Sequence, residues 1–167
     1  MKNIAKYSVL ILCLGIGSPV MAQTESYGAA GVSQIVDAEL TLESMMNFAI
    51  QDEYLARGEY QKVMDTFGQK RPFSNIIKAE NTHISLLKPL FVKYEFVLPP
   101  DRGMELATVP ATFAETLQIG VDAEVANIEM YERFLKKDLP DDVRNVFERL
   151  LNGSENHLAA FTKNVNR

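Results

Sequence analysis

Apolar residues recur along the chain at alternating separations of three and four through four long stretches, the spacing of one buried stripe on a helix. The first stripe runs Leu42, Met46, Ala49, Glu53, Ala56, Tyr60, Val63, Phe67, and the second Phe73, Ile76, Glu80, His83, Leu87, Leu90, Tyr94. The third runs Phe113, Leu117, Gly120, Glu124, Asn127, Tyr131, Phe134, and the fourth Val143, Phe147, Leu150, Ser154, His157, Phe161. No Asn-Gly or Asp-Gly turn is flanked by alternating apolar residues, so hairpin signals are missing. The pattern predicts helices over about 41–67, 72–94, 112–137 and 140–165. Gly68 stops the first, Pro89 is expected to kink the second, and Thr112-x-x-Glu115 forms a capping box for the third. Asp138 is expected to cap the fourth, with Asp141 and Asp142 favourable in its first turn.

Loop lengths give the topology. Four or five residues join the first pair of helices and the second pair, so each pair is an antiparallel hairpin. The sixteen residues 95–110 between the pairs could stretch about 50 Å, against about 39 Å for a 26-residue helix. The second and third helices are therefore expected to run parallel, which gives an all-α, four-helix bundle with one long crossover.

Each stripe is apolar at its ends and polar in its middle. The middles hold Glu53, then Glu80 and His83, then Glu124 and Asn127, then Ser154 and His157, and both histidines of the chain are among them. Isolated carboxylates in a dry core cost several kcal/mol each, so something must compensate for them. Counted from the tight turns, Glu124 and His157 lie at matching depth, whereas Glu80 and His83 fall about one helical turn off Glu53. The two hairpins repeat one spacing: Glu53 and Tyr60 are seven apart, as are Glu124 and Tyr131, and a pair ending in His follows each. Seven residues return to nearly the same helix face and three are offset by about 60°, close enough for two side chains to grip one ion. Carboxylate oxygen with imidazole nitrogen suits iron, manganese or zinc. The bland alternative is a buried hydrogen-bonded network that holds the bundle in register. Tyr60 and Tyr131 read as packing residues with tethered hydroxyls, and Asn127 and Ser154 as groups behind the ligands. Met45, Met46, Met64 and Met130 read as core filler and not as a copper site.

Composition changes this picture at the N-terminus. The 167 residues carry 17 basic and 22 acidic side chains and one cysteine, a net charge of -5 that argues against nucleic acid as a partner. Lys2 and Lys6, the apolar run from Val9 to Ile16, and Val20-Met21-Ala22 read as a signal peptide over residues 1–22, cleaved after Ala22. A lipoprotein anchor at Cys13 is disfavoured by bulky Leu12 before it. Cleavage would leave no cysteine and a charge of -7, and would place the protein in a periplasm or outside the cell. Residues 23–38, rich in Gly, Ala, Ser and Gln, are expected to be a flexible leader, and 39–167 the bundle. No later stretch is apolar for long enough to span a membrane.

Glu53-x-x-Ala56-x-x-x-Tyr60 resembles the first-helix motif of rubrerythrin-type proteins, and Glu80-x-x-His83 the second-helix ligand pair of ferritin-like di-metal carboxylate proteins. Phe73-Ser-Asn-Ile and Gly153-Ser-Glu-Asn-His-Leu-Ala-Ala-Phe161 are most similar to the bacterial domains of unknown function known as DUF2202. The resemblance covers about residues 40–165. It implies Glu53 and Glu124 as terminal metal ligands, Glu80 as a bridge, and His83 and His157 as one imidazole per metal. The last helix departs from the pattern, because Ser154 stands where the superfamily has a glutamate, leaving the set one carboxylate short. The implied cofactor is iron or manganese, or else zinc, with no haem and no nucleotide. The implied partners are metal ions, an external electron donor and a second copy in a homodimer. An oxidoreductase acting on oxygen, peroxide or ferrous iron, a non-catalytic metal binder, and a structural bundle with a vestigial site are the three classes that follow.

Overall fold

The computed structural model describes residues 27–166, and among them there is no strand. Short helix α1 (Gly28–Val32) and a 3-10 turn (Asp37–Glu39) precede four long helices. These are α2 (Leu42–Phe67), α3 (Phe73–Lys93), α5 (Phe113–Leu135) and α6 (Asp141–Val165), with α4 (Gly103–Leu106) between α3 and α5. The expected signal peptide lies outside the described residues. No described helix is long and apolar enough to cross a membrane.

Local chemistry sets the helix ends. Thr41 accepts from the Ser44 amide while Ser44 accepts from the Thr41 amide, and Thr112 and Glu115 exchange the same pair of bonds at α5. Gly68 ends α2 at φ 87°, a region open to glycine at little steric cost. Pro89 sits within α3, which continues to Lys93. Asp138 does not cap α6: Pro140 occupies the cap position without a side-chain bond, leaving Asp138 outside the first turn. Asp142 instead ties α6 to the end of α3, 2.7 Å from Lys93 Nζ and accepting from the Tyr94 hydroxyl at 2.7 Å.

Cross-helix contacts fix the directions. Glu53 meets Tyr131 while Tyr60 meets Glu124, so α2 and α5 run antiparallel. Glu80 lies by His157 while Tyr94 meets Asp142, so α3 and α6 also run antiparallel. Because Glu53 meets His83 while Tyr60 packs on Phe73, α2 and α3 are also antiparallel, so α3 and α5 point the same way. The crossover between them docks on α2, where Gly58 and Gly103 bring the two backbones together. A Cβ on Gly103 would fall 1.8 Å from the Tyr54 carbonyl oxygen.

The apolar interior is divided in two. One cluster joins Met46, Ala49, Leu87, Phe91, Phe134, Phe147 and their neighbours, and the other joins Val63, Phe73, Ile76, Leu117 and Phe161. The polar middles of the four stripes fall between them. The buried residues of α6 are the six of its expected stripe. Helix-end members such as Leu42, Phe67 and Phe113 are only half-buried.

From residue 27 the segment expected as a flexible leader is packed. Tyr27 and Val32 are buried, the Ala29 amide donates to Asp52 on α2 at 2.8 Å, and Arg133 of α5 holds the carbonyls of Val32 and Ile35. A few anchoring side chains hold it, with no helical period to announce them.

Candidate metal centre

Seven side chains converge in the polar layer, all of them on the expected stripes. Glu53 comes from α2, Glu80 and His83 from α3, Glu124 from α5 and His157 from α6, while Tyr60 and Tyr131 reach in from the two apolar clusters. Glu53 is fully buried and Glu80 is 2% exposed.

Glu80 stands at the centre. His83 Nδ1 lies 2.9 Å from Glu53 Oε2 and 3.3 Å from Glu80 Oε2. His157 Nδ1 lies 3.1 Å from Glu80 Oε1 and 3.3 Å from Glu124 Oε1. The result is two triads, Glu53–Glu80–His83 and Glu80–Glu124–His157, each offering three ligand atoms within 4.8 Å of one another. The imidazoles stack with centroids 5.7 Å apart. Counting from the turn left Glu80 and His83 a helical turn away from Glu53, yet His83 meets Glu53 directly. Glu80, three residues earlier on α3, reaches across to His157.

Each outer carboxylate is also held by a tyrosine. Tyr60 donates to Glu124 Oε1 at 2.6 Å and Tyr131 to Glu53 Oε1 at 2.7 Å. Tyr60 packs its ring on Phe73 and Phe161, and Tyr131 on Phe134 and Phe147, so the rings seal the layer above and below. Ser154 is 1% exposed but turns its hydroxyl to the Leu150 carbonyl of its own helix at 3.2 Å. Asn127 is buried with its amide oxygen unpartnered.

Charge is shared unevenly. Burial pushes the Glu53 carboxyl well above the usual carboxylate range, and the Glu80 charge adds to this. Burial likewise raises Glu124, against the opposing pull of His157. For Glu80 burial is outweighed by its contacts with His157, His83 and Glu53, which hold it at about 2. Burial disfavours both imidazolium ions, yet the facing carboxylates lift His83 to about 10 and His157 to about 9. The carboxylate oxygens that favour the imidazolium form would stabilise a bound cation in the same way.

Glu124 Oε2 is buried without a hydrogen-bond partner, and Glu80 Oε1 has only the His157 Nδ1 contact at 3.1 Å; unmet buried carboxylate oxygens are costly. Three carboxylates and two imidazole nitrogens are a donor set that fits a divalent transition metal, so the residues present suit such an ion.

The sequence pattern missed a neighbouring feature. A groove of about 270 Å³ runs between α2 and α5 under α1, lined by Tyr27, Ala29, Asp52, Leu55, Glu59 and Asp122 among others. Burial lifts Asp52 and Glu59 each to about 7. Neither lies on a stripe, and no local signal marks them.

No protein-family model matches the chain. It is similar to the uncharacterized protein MJ0754 of Methanocaldococcus jannaschii, with 27% identity over 131 residues covering 70% of each chain. It also matches a crystal structure of hypothetical protein MJ0754 from Methanococcus jannaschii, with a TM-score of 0.67 at 24% identity. That match covers 74% of this chain and 79% of the other, so the two share a fold.

Proposed function

We propose that the protein is an exported ferritin-like four-helix bundle, akin to the DUF2202 domains, that holds a pair of divalent metal ions. Iron or manganese is favoured, with zinc third. Glu53 and His83 would hold one ion, Glu124 and His157 the other, and Glu80 would be shared. One observation carries this reading: a single buried carboxylate, Glu80, is shared by two carboxylate–histidine triads.

A pair of redox-active ions would supply electron transfer to oxygen or peroxide, with electrons from an external donor. The chain's own part is to hold and shield. Tyr60 and Tyr131 fix the orientation of Glu124 and Glu53, each imidazole turns Nδ1 inward, and the flanking aromatic rings exclude water. Ser154, bonded to its own helix, offers no fourth carboxylate.

The test is metal per chain in the purified protein after loading with ferrous iron, manganese or zinc. Two equivalents are expected, and fewer than about 0.2 would overturn the reading. Oxidation of added ferrous iron by oxygen or peroxide then separates an oxidoreductase from a metal carrier.

A further inference from the structure

We infer that Gly153 is the residue that positions His83 for metal binding; the inference rests on the metal-pair reading above. Gly153 lies inside α6, where glycine weakens a helix, and nothing in its backbone calls for one, since its φ is not positive. What it meets explains it. A Cβ at this position would fall 2.5 Å from both Nε2 and Cε1 of His83, closer than non-bonded carbon and nitrogen can approach.

The imidazole is held between two walls. Its Nδ1 edge faces Glu53 and Glu80, and its outer edge lies against the α6 backbone at Gly153. The stacked ring of His157 limits sideways escape. An added methyl would drive the ring toward the carboxylates or rotate Nδ1 away from them. Glycine at 153 thus sets which nitrogen of His83 points inward, although it bears no donor itself and comes from the opposite hairpin.

The experiment compares wild type, Gly153→Ala, His83→Ala and the double variant, titrated with cobalt(II) and followed by its d–d absorption. Gly153→Ala is expected to lose one of the two bound ions or weaken it at least tenfold, with helical content unchanged. Adding Gly153→Ala to His83→Ala is expected to cost no further affinity. A Gly153→Ala protein that binds both ions within twofold of wild type overturns the proposal, as does an equal loss when His83 is already absent. If the single variant does not fold, recovery of folding in the double variant supports the clash with His83, and its failure overturns it.

A second readout needs no metal. In the metal-free protein the Nδ1–H proton resonance of His83 is expected to shift or vanish in Gly153→Ala while that of His157 stays. An unchanged His83 resonance overturns the inference. Wild-type protein that binds no cobalt would sink the metal-pair reading while leaving this positioning test intact.

Discussion

Tyr131 on α5 donates its hydroxyl to Glu53 on α2 at 2.7 Å across the centre of the molecule, although 78 residues separate them in sequence. Tyr60 and Glu124 make the reciprocal bond, so each of these two helices gives the other one phenol and receives one in return. Removing a donor from a buried carboxylate that still needs it costs about 1–3 kcal/mol. Tyr131→Phe and Tyr60→Phe should each lower stability in urea unfolding by that amount. Both should still bind metal, because neither hydroxyl is counted among the ligands. Loss of all bound metal in either variant would give the tyrosine a larger part.

Histidine removal should divide the site. His157→Ala is expected to lose one of two ions and leave the Glu53–Glu80–His83 triad loaded, and His83→Ala the reverse. Metal content by elemental analysis decides it, and an unchanged count in His157→Ala would remove that residue from the ligand set.

Metal and protons should compete. Both imidazoles titrate above their ordinary value of 6.5, at about 10 and 9, so at neutral pH the metal-free site holds protons that a metal must displace. Loading at pH 7 should therefore release protons into a weakly buffered solution, and affinity should rise with pH. Folding without metal has the opposite sign. A raised histidine contributes stability that is complete below the unfolded value of 6.5 and is lost as the pH climbs through 9 and 10. The raised carboxyls of Glu53 and Glu124 act in the same direction above 4.5. The gap in Tm between loaded and metal-free protein should widen from pH 6.5 to 9, and a constant gap would contradict the assignment.

Ser154 allows a gain-of-ligand test. Ser154→Glu places a fourth carboxylate in the layer, which should destabilise the metal-free protein by several kcal/mol through desolvation and like-charge repulsion. Loaded protein should recover much of that loss, so the Tm rise on metal addition should exceed that of wild type. Ser154→Ala should change stability by no more than about 1 kcal/mol, since it removes only a bond to its own helix.

The long helices and the buried layer were legible because burial on a helix repeats every three or four residues. Glu53, Glu80, His83, Glu124 and His157 stand out as polar residues on apolar stripes. Where only a few contacts decide, the sequence was silent. Asp138 looked like a cap, but Pro140 holds the cap position instead. The segment around Tyr27 to Glu39 has no period, yet Asp52 and Arg133 pin it from two different helices. Gly153 and Gly103 look like ordinary glycines until the backbone or ring each one touches is known, and those partners lie 70 and 49 residues away, at His83 and Tyr54.

The contact between Gly58 and Gly103 makes the crossover sensitive in an unexpected place. Residues 95–110 resemble a spacer that would absorb insertions and substitutions. At Gly103, however, the chain lies against the turn of α2 that carries Tyr54, next to Glu53, without room for a single methyl. A change to alanine in this apparent linker would be felt at the centre of the molecule, so damage here follows the thickness of the backbone and not the distance along the chain.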